Sequence, residues 1–430
     1  MATTIDNRAD VASGLPAACR AIADRARRAA VEMAAADGVR KATCLRDAAR
    51  RIRAVAPEIL AANADDVDDA SRAGLTPALL DRLRLDPSRL AGIAAGLEAV
   101  ADQQDPVGAV LEERVRPNGL IVRKISVPIG VVLFIYESRP NVTTDAAAVA
   151  VAAGNAIILR GGKESARSSR RLVEPFRAAL AANGLPIDAV QLVDTPDRAA
   201  VGLLLVMDDA IDVVIPRGGE ELVRRVTAEA RMPVLKHFTG NCHVYVDAAA
   251  DLEMARAILV NAKCQRMGVC NAAESLVVHR AVAERFLPMI AAELTARGVE
   301  IAGDPAVCRL VPTALPATED DYVREYCGPR ISAVVVDSLD AAIDHVNRYG
   351  SRHTDAIVTG DPGAAERFAA RVDTAVVMVN ASTRFNDGGE LGLGAEIGIS
   401  TDKLHARGPC GTRELTTYKY VVTGSGQVRS

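Results

Sequence analysis

The amino-acid sequence predicts an α/β protein with two doubly wound parallel sheets and an additional β-hairpin. From about residue 125, short runs of β-branched residues alternate with helical stretches, and this alternation starts again after Cys270. The runs are almost continuously apolar, as expected for parallel strands that helices cover on both faces. Between residues 112 and 127 the sequence instead alternates around a Pro-Asn-Gly turn, which predicts a hairpin outside both sheets.

The first third of the chain predicts helices. Between residues 17 and 62, apolar residues recur at three- and four-residue spacing with charged residues between them, as on amphipathic helices. Thr76 and Asp86 each precede a proline, and a capping side chain before a proline at the first helical position marks a helix start. The second of these starts leads into an apolar stripe between Leu90 and Leu97.

Nine apolar runs supply the predicted strands of the two sheets. Those of the first sheet are residues 129–137, 156–160, 189–194, 212–216 and 233–238, with helices at 164–183, 196–207 and 219–230. Those of the second sheet are residues 274–279, 331–337, 355–360 and 374–379, with helices near 280–297, 338–349 and 363–372. Residues 415–423 also alternate between apolar and polar residues, which predicts a further strand. Like the hairpin, this strand needs an edge to pair with, and another subunit could supply it.

The composition excludes several classes of function. The 430 residues carry 51 Lys plus Arg against 55 Asp plus Glu, and this net charge of −4 argues against a dedicated nucleic-acid binder. No apolar run approaches the length of a membrane span, and the N-terminus lacks the apolar segment of a secretory signal. The eight cysteines lie far apart, which is typical of reduced thiols. We therefore expect a cytoplasmic protein with no nucleic-acid or membrane partner.

Two glycine turns follow strands of the first predicted sheet and are candidates for binding a nucleotide. They are Arg160-Gly161-Gly162-Lys163 and Pro216-Arg217-Gly218-Gly219. Glycine at such turns lets the backbone approach a pyrophosphate, and the N-terminus of the following helix favours an anion. The alternative is that both segments are ordinary strand–helix turns without a ligand. No G-x-G-x-x-G motif follows these strands.

Cys270 is the strongest nucleophile candidate among the cysteines. It lies in a polar, glycine-containing loop between the two sheets, and Lys263 and Arg266 are close enough in sequence to provide positive charge for a thiolate. Cys264 is a rival in the same loop, and a small buried hydrophobic residue is the ordinary alternative for either thiol. The six histidines form no H-E-x-x-H motif and the cysteines no C-x-x-C pair, so we expect no metal site.

Five segments carry a resemblance to a known family. They are IYESRPNVT (135–143), GNAIILRGGKES (154–165), IPRGG (215–219), VCNAAESLVVH (269–279) and VNASTRFNDGGELGLGAE (379–396). They resemble the gamma-glutamyl phosphate reductase family of the aldehyde dehydrogenase superfamily, and the resemblance extends from about residue 17 to residue 423. It implies an aldehyde-dehydrogenase-like fold with a β-hairpin oligomerisation flap. The implied activity is NADPH-dependent reduction of L-glutamyl 5-phosphate to L-glutamate 5-semialdehyde with release of phosphate, the second step of proline biosynthesis from glutamate.

The resemblance also implies roles for individual residues. Cys270 would form a thioester with the substrate, and Asn141 would donate to the oxyanion. The residues expected to bind NADPH are Arg160, Gly161, Lys163, Gly218, Gly219 and Glu325. Those expected to bind the anionic groups of the substrate, unless they serve as structural partners, are Arg266, Ser382, Thr383, Arg384 and Arg407. The glutamate that activates water in hydrolytic aldehyde dehydrogenases has no counterpart in residues 238–243.

The resemblance implies a division of the chain into domains. Residues 1–128 and 143–262 are expected to bind NADP, 263–382 to form the catalytic domain, and 112–127 with 412–424 to form the oligomerisation flap. A homodimer or homotetramer is expected, and glutamate 5-kinase, which makes the substrate, is a candidate partner. Three alternatives stay open: an aldehyde dehydrogenase that releases a free acid, a nucleotide-binding scaffold without activity, and a thiol acyltransferase without redox chemistry.

Overall fold

The chain divides into two structural units. The computed structural model describes residues 7–393 and 395–429, with the backbone alone at 7–13 and 78, so the first six residues of the expected NADP-binding domain lie outside the described part. The first unit comprises Met1–Lys236, Gly392–Gly398 and Cys410–Ser430, and the second comprises His237–Leu391 and Ile399–Pro409.

The described part of the chain contains fifteen α-helices. Those of the first unit are α1 (Asn7–Ala34), α2 (Gly38–Ala54), α3 (Ala56–Arg72), α4 (Pro77–Leu83), α5 (Pro87–Ala101), α6 (Pro140–Ala152), α7 (Ala166–Ala182), α8 (Ala199–Leu204) and α9 (Glu220–Glu229). Those of the second unit are α10 (Leu252–Cys264), α11 (Arg280–Ala296), α12 (Pro305–Leu310), α13 (Glu319–Val323), α14 (Leu339–Tyr349) and α15 (Pro362–Arg371). None of these helices combines the length and the apolar content that crossing a membrane requires.

Sixteen strands form four sheets in the described residues. The strands are β1 (Val110–Val115), β2 (Ile121–Pro128), β3 (Val131–Tyr136), β4 (Ala156–Arg160), β5 (Val190–Leu192), β6 (Val213–Arg217), β7 (Cys242–Val246), β8 (Ala273–His279), β9 (Glu300–Gly303), β10 (Leu315–Pro316), β11 (Arg330–Val336), β12 (Thr354–Val358), β13 (Val376–Val379), β14 (Ile399–Ser400), β15 (Gly408–Pro409) and β16 (Thr416–Thr423).

The two marked helix starts in the first third of the chain are confirmed. Thr76 accepts a hydrogen bond from the N–H of Leu79, and Asp86 accepts one from Arg89, immediately before the prolines that open α4 and α5. Such a cap satisfies an amide that has no partner within its helix and contributes ~1 kcal/mol. α5 then buries the predicted apolar stripe against its neighbours.

The first unit contains a parallel sheet in the order β5-β4-β3-β6. All six residues of β3 are buried, as expected for a central strand between helices. The predicted fifth strand at residues 233–238 is wrong, because only Val234 pairs with the sheet, through an isolated bridge to Val214. Pro233 has no N–H to extend the ladder, and the chain leaves the sheet after this bridge.

The predicted hairpin is confirmed and belongs to a three-stranded antiparallel sheet. β2 pairs with β1 on one side and with β16 on the other. The C-terminal strand therefore finds its partner edge within this chain, which corrects the expectation that another subunit could supply it. Val110, Leu111 and Tyr420 are exposed on this sheet. Association of subunits through it stays a prediction.

The second unit is built on a parallel sheet in the order β10-β9-β11-β8-β7-β12-β13. Alternate residues of its strands face opposite sides: Val244 and Leu276 pack with α10 and α11, whereas Tyr245 and Val277 pack with α14 and α15. Helices thus cover both faces, and the predicted doubly wound α/β architecture is confirmed for this unit.

The boundary between the units differs from the predicted one. β7 lies at the centre of the second sheet, between β8 and β12, so residues 237–262 fold with the second unit rather than with the expected NADP-binding domain. A fully buried apolar strand has the same sequence pattern in either sheet, and only its pairing decides which sheet it joins. The short strands β9 and β10 were not predicted, because they give little periodicity.

Candidate active site

Cys270 lies in the turn between α10 and β8, close to the amino-terminal end of β8. β8, β7 and β12 are adjacent parallel strands, so their amino-terminal ends meet at one edge of the sheet. Cys242 begins β7 and His353 immediately precedes β12. The sheet topology therefore brings Cys242, Cys270 and His353 to the same edge.

The Cys270 thiol lies between two imidazoles. Its Sγ and one ring nitrogen each of His237 and His353 all lie within 4.8 Å of one another, and the two rings meet edge-on with centroids 5.3 Å apart. His237 Nδ1 donates to the carbonyl of Ile399 at 2.8 Å, which leaves the lone pair of the neutral ring on Nε2. The three donor atoms are grouped closely enough to hold a metal ion, which no sequence motif indicated.

These two histidines provide the positive charge expected around the nucleophile. Burial raises the pKa of the Cys270 thiol, but the imidazoles of His353 and His237 outweigh it and hold the pKa well below its ordinary value. Lys263, one of the two cations to which the sequence assigned this role, is fully buried and pairs with Glu274 at 2.6 Å, whereas the other, Arg266, is exposed. Burial raises the pKa of Glu274 to about 7. Lys263 thus belongs to the core of the unit, a correction to the prediction.

The backbone of Cys270 is fixed by two neighbours on the preceding segment. Cys242 Sγ donates a hydrogen bond to the carbonyl oxygen of Cys270 at 3.2 Å. Burial raises the pKa of Cys242 well above its ordinary value, so this thiol keeps its proton and remains a donor. Gly240 packs so closely that a Cβ atom there would lie 2.0 Å from the same oxygen. No residue other than glycine fits at position 240 without moving the nucleophile loop.

The residue after the nucleophile is held from the other side. Thr383 Oγ1 donates to the carbonyl of Asn271 at 2.7 Å, and Asn271 Nδ2 donates to the carbonyl of Asn386 at 2.9 Å. The Arg384 guanidinium donates to Asn271 Oδ1. Thr383 is fully buried with its hydroxyl hydrogen given to Asn271, and Ser382 is buried at the start of a short 3-10 turn. Thr383 therefore positions the nucleophile loop, while Ser382 Oγ accepts the N–H of Arg384. The expected substrate contacts of both residues stay predictions.

Two of the three predicted substrate arginines lie beside the nucleophile loop. Arg384 Nε donates to Gln265 Oε1 at 2.7 Å. Burial lowers the pKa of Arg384, and the nearby positive charge of Arg266 lowers it further. Arg266 is exposed, and no described residue forms an ion pair or hydrogen bond with its guanidinium. Arg407 instead forms an ion pair with Asp373 at 2.8 Å, and its expected contact with the substrate stays a prediction.

Glu325 lies next to the same loop. Its carboxylate accepts a hydrogen bond from the N–H of Gly240. Burial raises the pKa of Glu325, and the negative charge of Cys270 raises it further. This position is compatible with the predicted cofactor contact and does not test it. Cys264, the rival nucleophile, is half-buried and stands outside the group formed with the two histidines. Burial raises the pKa of Cys264, so its thiol stays protonated.

The glycine turns of the first unit are tightly packed. A Cβ atom at Gly218 would lie 2.6 Å from the carboxylate of Glu137, and the N–H of Gly219 donates to Glu137 Oε2 at 2.8 Å. A Cβ atom at Gly161 would lie 3.1 Å from the Tyr136 ring. This close packing is sufficient to require glycine at these positions. The two turns also expose backbone without side chains just before α7 and α9.

The two cations of the first glycine turn differ in their surroundings. Arg160 is buried, and its guanidinium donates to the carbonyls of Gly161 and Pro196. Burial lowers the pKa of Arg160. The expected contact of Arg160 with the cofactor stays a prediction, and its buried Nε has no hydrogen-bond partner among the described residues. Lys163 is exposed, and no described residue forms a hydrogen bond or ion pair with its ammonium group.

Asn141, the expected oxyanion donor, is the second residue of α6 in the first unit. Its Nδ2 donates to Asp145 Oδ2 at 2.9 Å, one turn further along the helix. Burial raises the pKa of Asp145 to about 7. An amide nitrogen carries two hydrogens, so Asn141 keeps one donor beyond this bond.

His237, His353 and Asn271 were missed as site residues by the sequence interpretation. Asn271 directly follows Cys270 in the family-like string, and that position was the available signal. His353 stands before a predicted strand, but only the order of strands in the sheet brings it to Cys270. That order is a tertiary property and leaves no local mark in the sequence.

Comparisons with known proteins agree with this architecture. The chain matches the Aldehyde dehydrogenase family over residues 3–308 and 305–394. It is 57% identical to a gamma-glutamyl phosphate reductase from Rhodopirellula baltica, with 96% of each chain covered, and 53% identical to one from Sorangium cellulosum, with 96% of this chain and 98% of the relative covered. The crystal structure of gamma-glutamyl phosphate reductase from Thermotoga maritima superposes with a TM-score of 0.93 at 42% identity, covering 96% of this chain and all of the other.

Proposed function

The chain belongs to the aldehyde dehydrogenase family, in the branch whose curated relatives are named gamma-glutamyl phosphate reductase, and we propose that it catalyses the reaction that this name describes. As an oxidoreductase with a nicotinamide cofactor, it reduces L-glutamyl 5-phosphate to L-glutamate 5-semialdehyde with NADPH and releases phosphate, on the route from glutamate to proline. The observation that carries this proposal is the Cys270 thiol between the imidazoles of His237 and His353.

Cys270 acts as the nucleophile. Its thiolate attacks the carbonyl carbon of the acyl phosphate, so that a C–S bond forms while the C–O bond to phosphate breaks. The thiol hydrogen has passed to the imidazole pair of His237 and His353, a transfer that the lowered pKa of Cys270 supports. NADPH, when bound, supplies the hydride that takes the thioester to the aldehyde level.

The negative oxygen that develops during attack needs donors that are already in place. We assign this role to the backbone N–H of Cys270 and, by the resemblance, to Asn141. Two hydrogen bonds directly after that N–H support the assignment: Cys242 holds the carbonyl of Cys270 at 3.2 Å, and Thr383 holds the carbonyl of Asn271 at 2.7 Å. These two bonds limit movement of the loop that carries the N–H of Cys270.

The substrate brings an α-carboxylate and a phosphate, which require cations. Arg384 is suited to this role because its hydrogen bonds to Gln265 and Asn271 go to amide oxygens, which do not neutralise the guanidinium. Arg266, exposed next to Arg384, adds a second positive charge. We propose that these two arginines bind the anionic groups, while Arg407 serves as the ion-pair partner of Asp373.

The residues of the first unit are compatible with NADPH. Gly161 and Gly218 leave the backbone of two strand-end turns free of side chains, and a helix begins after each turn. Lys163 adds an exposed ammonium group that no described residue neutralises, at the turn where the resemblance places the adenosine ribose. A cation there favours the 2′-phosphate of NADPH over the bare hydroxyl of NADH.

The surroundings of Cys270 also favour reduction over hydrolysis. Residues 238–243 contain no carboxylate to activate water. Glu325, which lies beside the loop, accepts the N–H of Gly240, and this hydrogen bond holds its carboxylate. Without the carboxylate that activates water in the hydrolytic enzymes, the thioester is expected to persist until it is reduced.

The reverse reaction tests this function. Purified enzyme receives glutamate 5-semialdehyde and NADP⁺ with and without inorganic phosphate, and NADPH formation is followed by its absorbance. We expect turnover only with phosphate, since phosphate must release the acyl group from Cys270. Phosphate-independent NADPH formation would contradict the proposal and favour the hydrolytic aldehyde dehydrogenase. Cys270→Ala should abolish turnover, whereas Cys264→Ala, the matched control at the end of α10, should retain it.

A further inference from the structure

We propose that His237, Cys270 and His353 form a binding site for Zn²⁺, and that the bound ion silences the nucleophile. Their donor atoms already lie within 4.8 Å of one another. In a tetrahedral zinc site the ligand atoms lie ~2.0–2.3 Å from the metal, which places them roughly 3.3–3.8 Å from each other. Small side-chain rotations therefore suffice to close the three donors around an ion.

The hydrogen bond of His237 prepares its ring for a metal. Nδ1 donates to the carbonyl of Ile399 at 2.8 Å, so Nε2 carries the lone pair. A ligating histidine typically donates its other ring N–H to a carbonyl or carboxylate in this way, which fixes both the tautomer and the ring orientation.

His353 provides an independent observation. The residue is completely buried, and its Nδ1 bonds to Thr354 Oγ1 at 2.8 Å. Its Nε2 is also buried, yet no described group forms a hydrogen bond with it. Buried polar atoms normally have a partner. A metal ion would be a suitable partner for this imidazole nitrogen, because the ring lies against a thiolate that can bind the same ion.

The donor set selects the metal. One thiolate and two imidazoles match the soft and borderline ligands of Zn²⁺, whereas Mg²⁺ and Ca²⁺ require oxygen ligands. Three protein ligands leave the fourth position for water or an anion. Binding rests on these side chains alone. The loss of activity rests on the proposed function, because the metal occupies the sulfur lone pair that would attack the substrate.

Direct binding tests the site without substrate or cofactor. Metal-free enzyme is titrated with Co²⁺, which replaces Zn²⁺ and gives thiolate-to-metal absorption, and the bound Co²⁺ is then displaced with Zn²⁺. We expect one equivalent per chain, loss of the thiolate band in Cys270→Ser, and at least tenfold weaker binding in His237→Gln. Cys264→Ser is the matched control and should bind as the wild type does.

Binding that is absent, or that Cys270→Ser leaves unchanged, would overturn the proposal. His237 is only partly buried, so His237→Gln keeps the test decisive if replacing the fully buried His353 prevents folding. In the reverse reaction, saturating Zn²⁺ should reduce the rate at least tenfold, EDTA should restore it, and Mg²⁺ should have no effect. Zn²⁺ that binds while activity persists would overturn the silencing. Failure of the phosphate test above would leave the Co²⁺ result intact, so the two proposals fail separately.

Discussion

Cys242 Sγ donates a hydrogen bond to the carbonyl oxygen of Cys270 at 3.2 Å, which pairs a protonated thiol with the backbone of the nucleophile. Burial raises the pKa of Cys242 well above its ordinary value, while in Cys270 the imidazoles of His353 and His237 outweigh burial and lower it. Two thiols at one sheet edge thus have different tasks. One is a fixed donor that orients the loop, and the other is available as a thiolate.

Thr383 should act as a positioning residue. Thr383→Val keeps its shape but removes the hydroxyl that donates to Asn271 O at 2.7 Å, leaving that carbonyl unsatisfied. We expect a loss of ~1–2 kcal/mol in the free energy of unfolding and a several-fold decrease in kcat with little change in KM. Urea unfolding and steady-state kinetics measure both. Thr383→Ser retains the donor and should restore kcat; a kcat that remains low in Thr383→Ser would contradict the account.

Arg266 should contribute to substrate binding through its charge. In Arg266→Gln we expect KM for phosphate in the reverse reaction to rise about tenfold, which corresponds to ~1.4 kcal/mol, with kcat largely retained. Arg407→Gln is the control and should leave KM unchanged, because Arg407 is already paired with Asp373 at 2.8 Å. Equal KM changes in the two variants would argue against a specific role for Arg266.

Lys163 should determine the preference for NADPH. Lys163→Glu replaces an unpaired, exposed ammonium group by a carboxylate that repels the 2′-phosphate. We expect the ratio of kcat/KM for NADPH over NADH to fall at least tenfold, whereas Lys163→Met, which removes the charge only, should have a smaller effect. An unchanged ratio in Lys163→Glu would make Lys163 a surface residue without a cofactor contact.

Asp145 should make the stability of the first unit depend on pH. Its pKa is about 7 in the folded chain, because burial opposes its charge, against ~3.9 when unfolded. The stabilisation by the bound proton is therefore complete below about pH 4 and is lost as the pH rises through about 7. Asp145→Asn removes this dependence while Asn141 keeps an acceptor.

The free energies of unfolding of wild type and Asp145→Asn isolate this group, since all other titrating residues are shared. From about pH 5 to about pH 8 the wild type should lose ~1–3 kcal/mol relative to the variant. Urea unfolding at several pH values measures the difference. Parallel pH profiles of the two proteins would show that Asp145 does not hold the proton.

Local features of this fold could be predicted, and tertiary ones could not. The caps at Thr76 and Asp86 depend on neighbours three residues away, so the sequence contains the whole interaction. Residues 237–262, which contain β7, were assigned to the wrong unit because a buried strand does not specify its neighbours.

The same distinction applies to the candidate site. Cys270 was found through its family-like string, but its positive surroundings were assigned to Lys263 and Arg266, and Lys263 pairs instead with Glu274 in the core. The charge comes from His237 and His353, which meet Cys270 only through the fold of the second unit. Proximity along the chain was a poor guide to proximity in space.

The pH dependence of Cys270 alkylation shows whether His237 and His353 stabilise the thiolate. Metal-free enzyme reacts with iodoacetamide over a range of pH, and mass spectrometry measures the rate at each cysteine peptide. Because the imidazoles stabilise the thiolate, the rate at Cys270 should have its midpoint well below the ~8.5 of an ordinary thiol, and His237→Gln should raise it. An ordinary midpoint at Cys270, or faster alkylation of Cys264, would contradict the account.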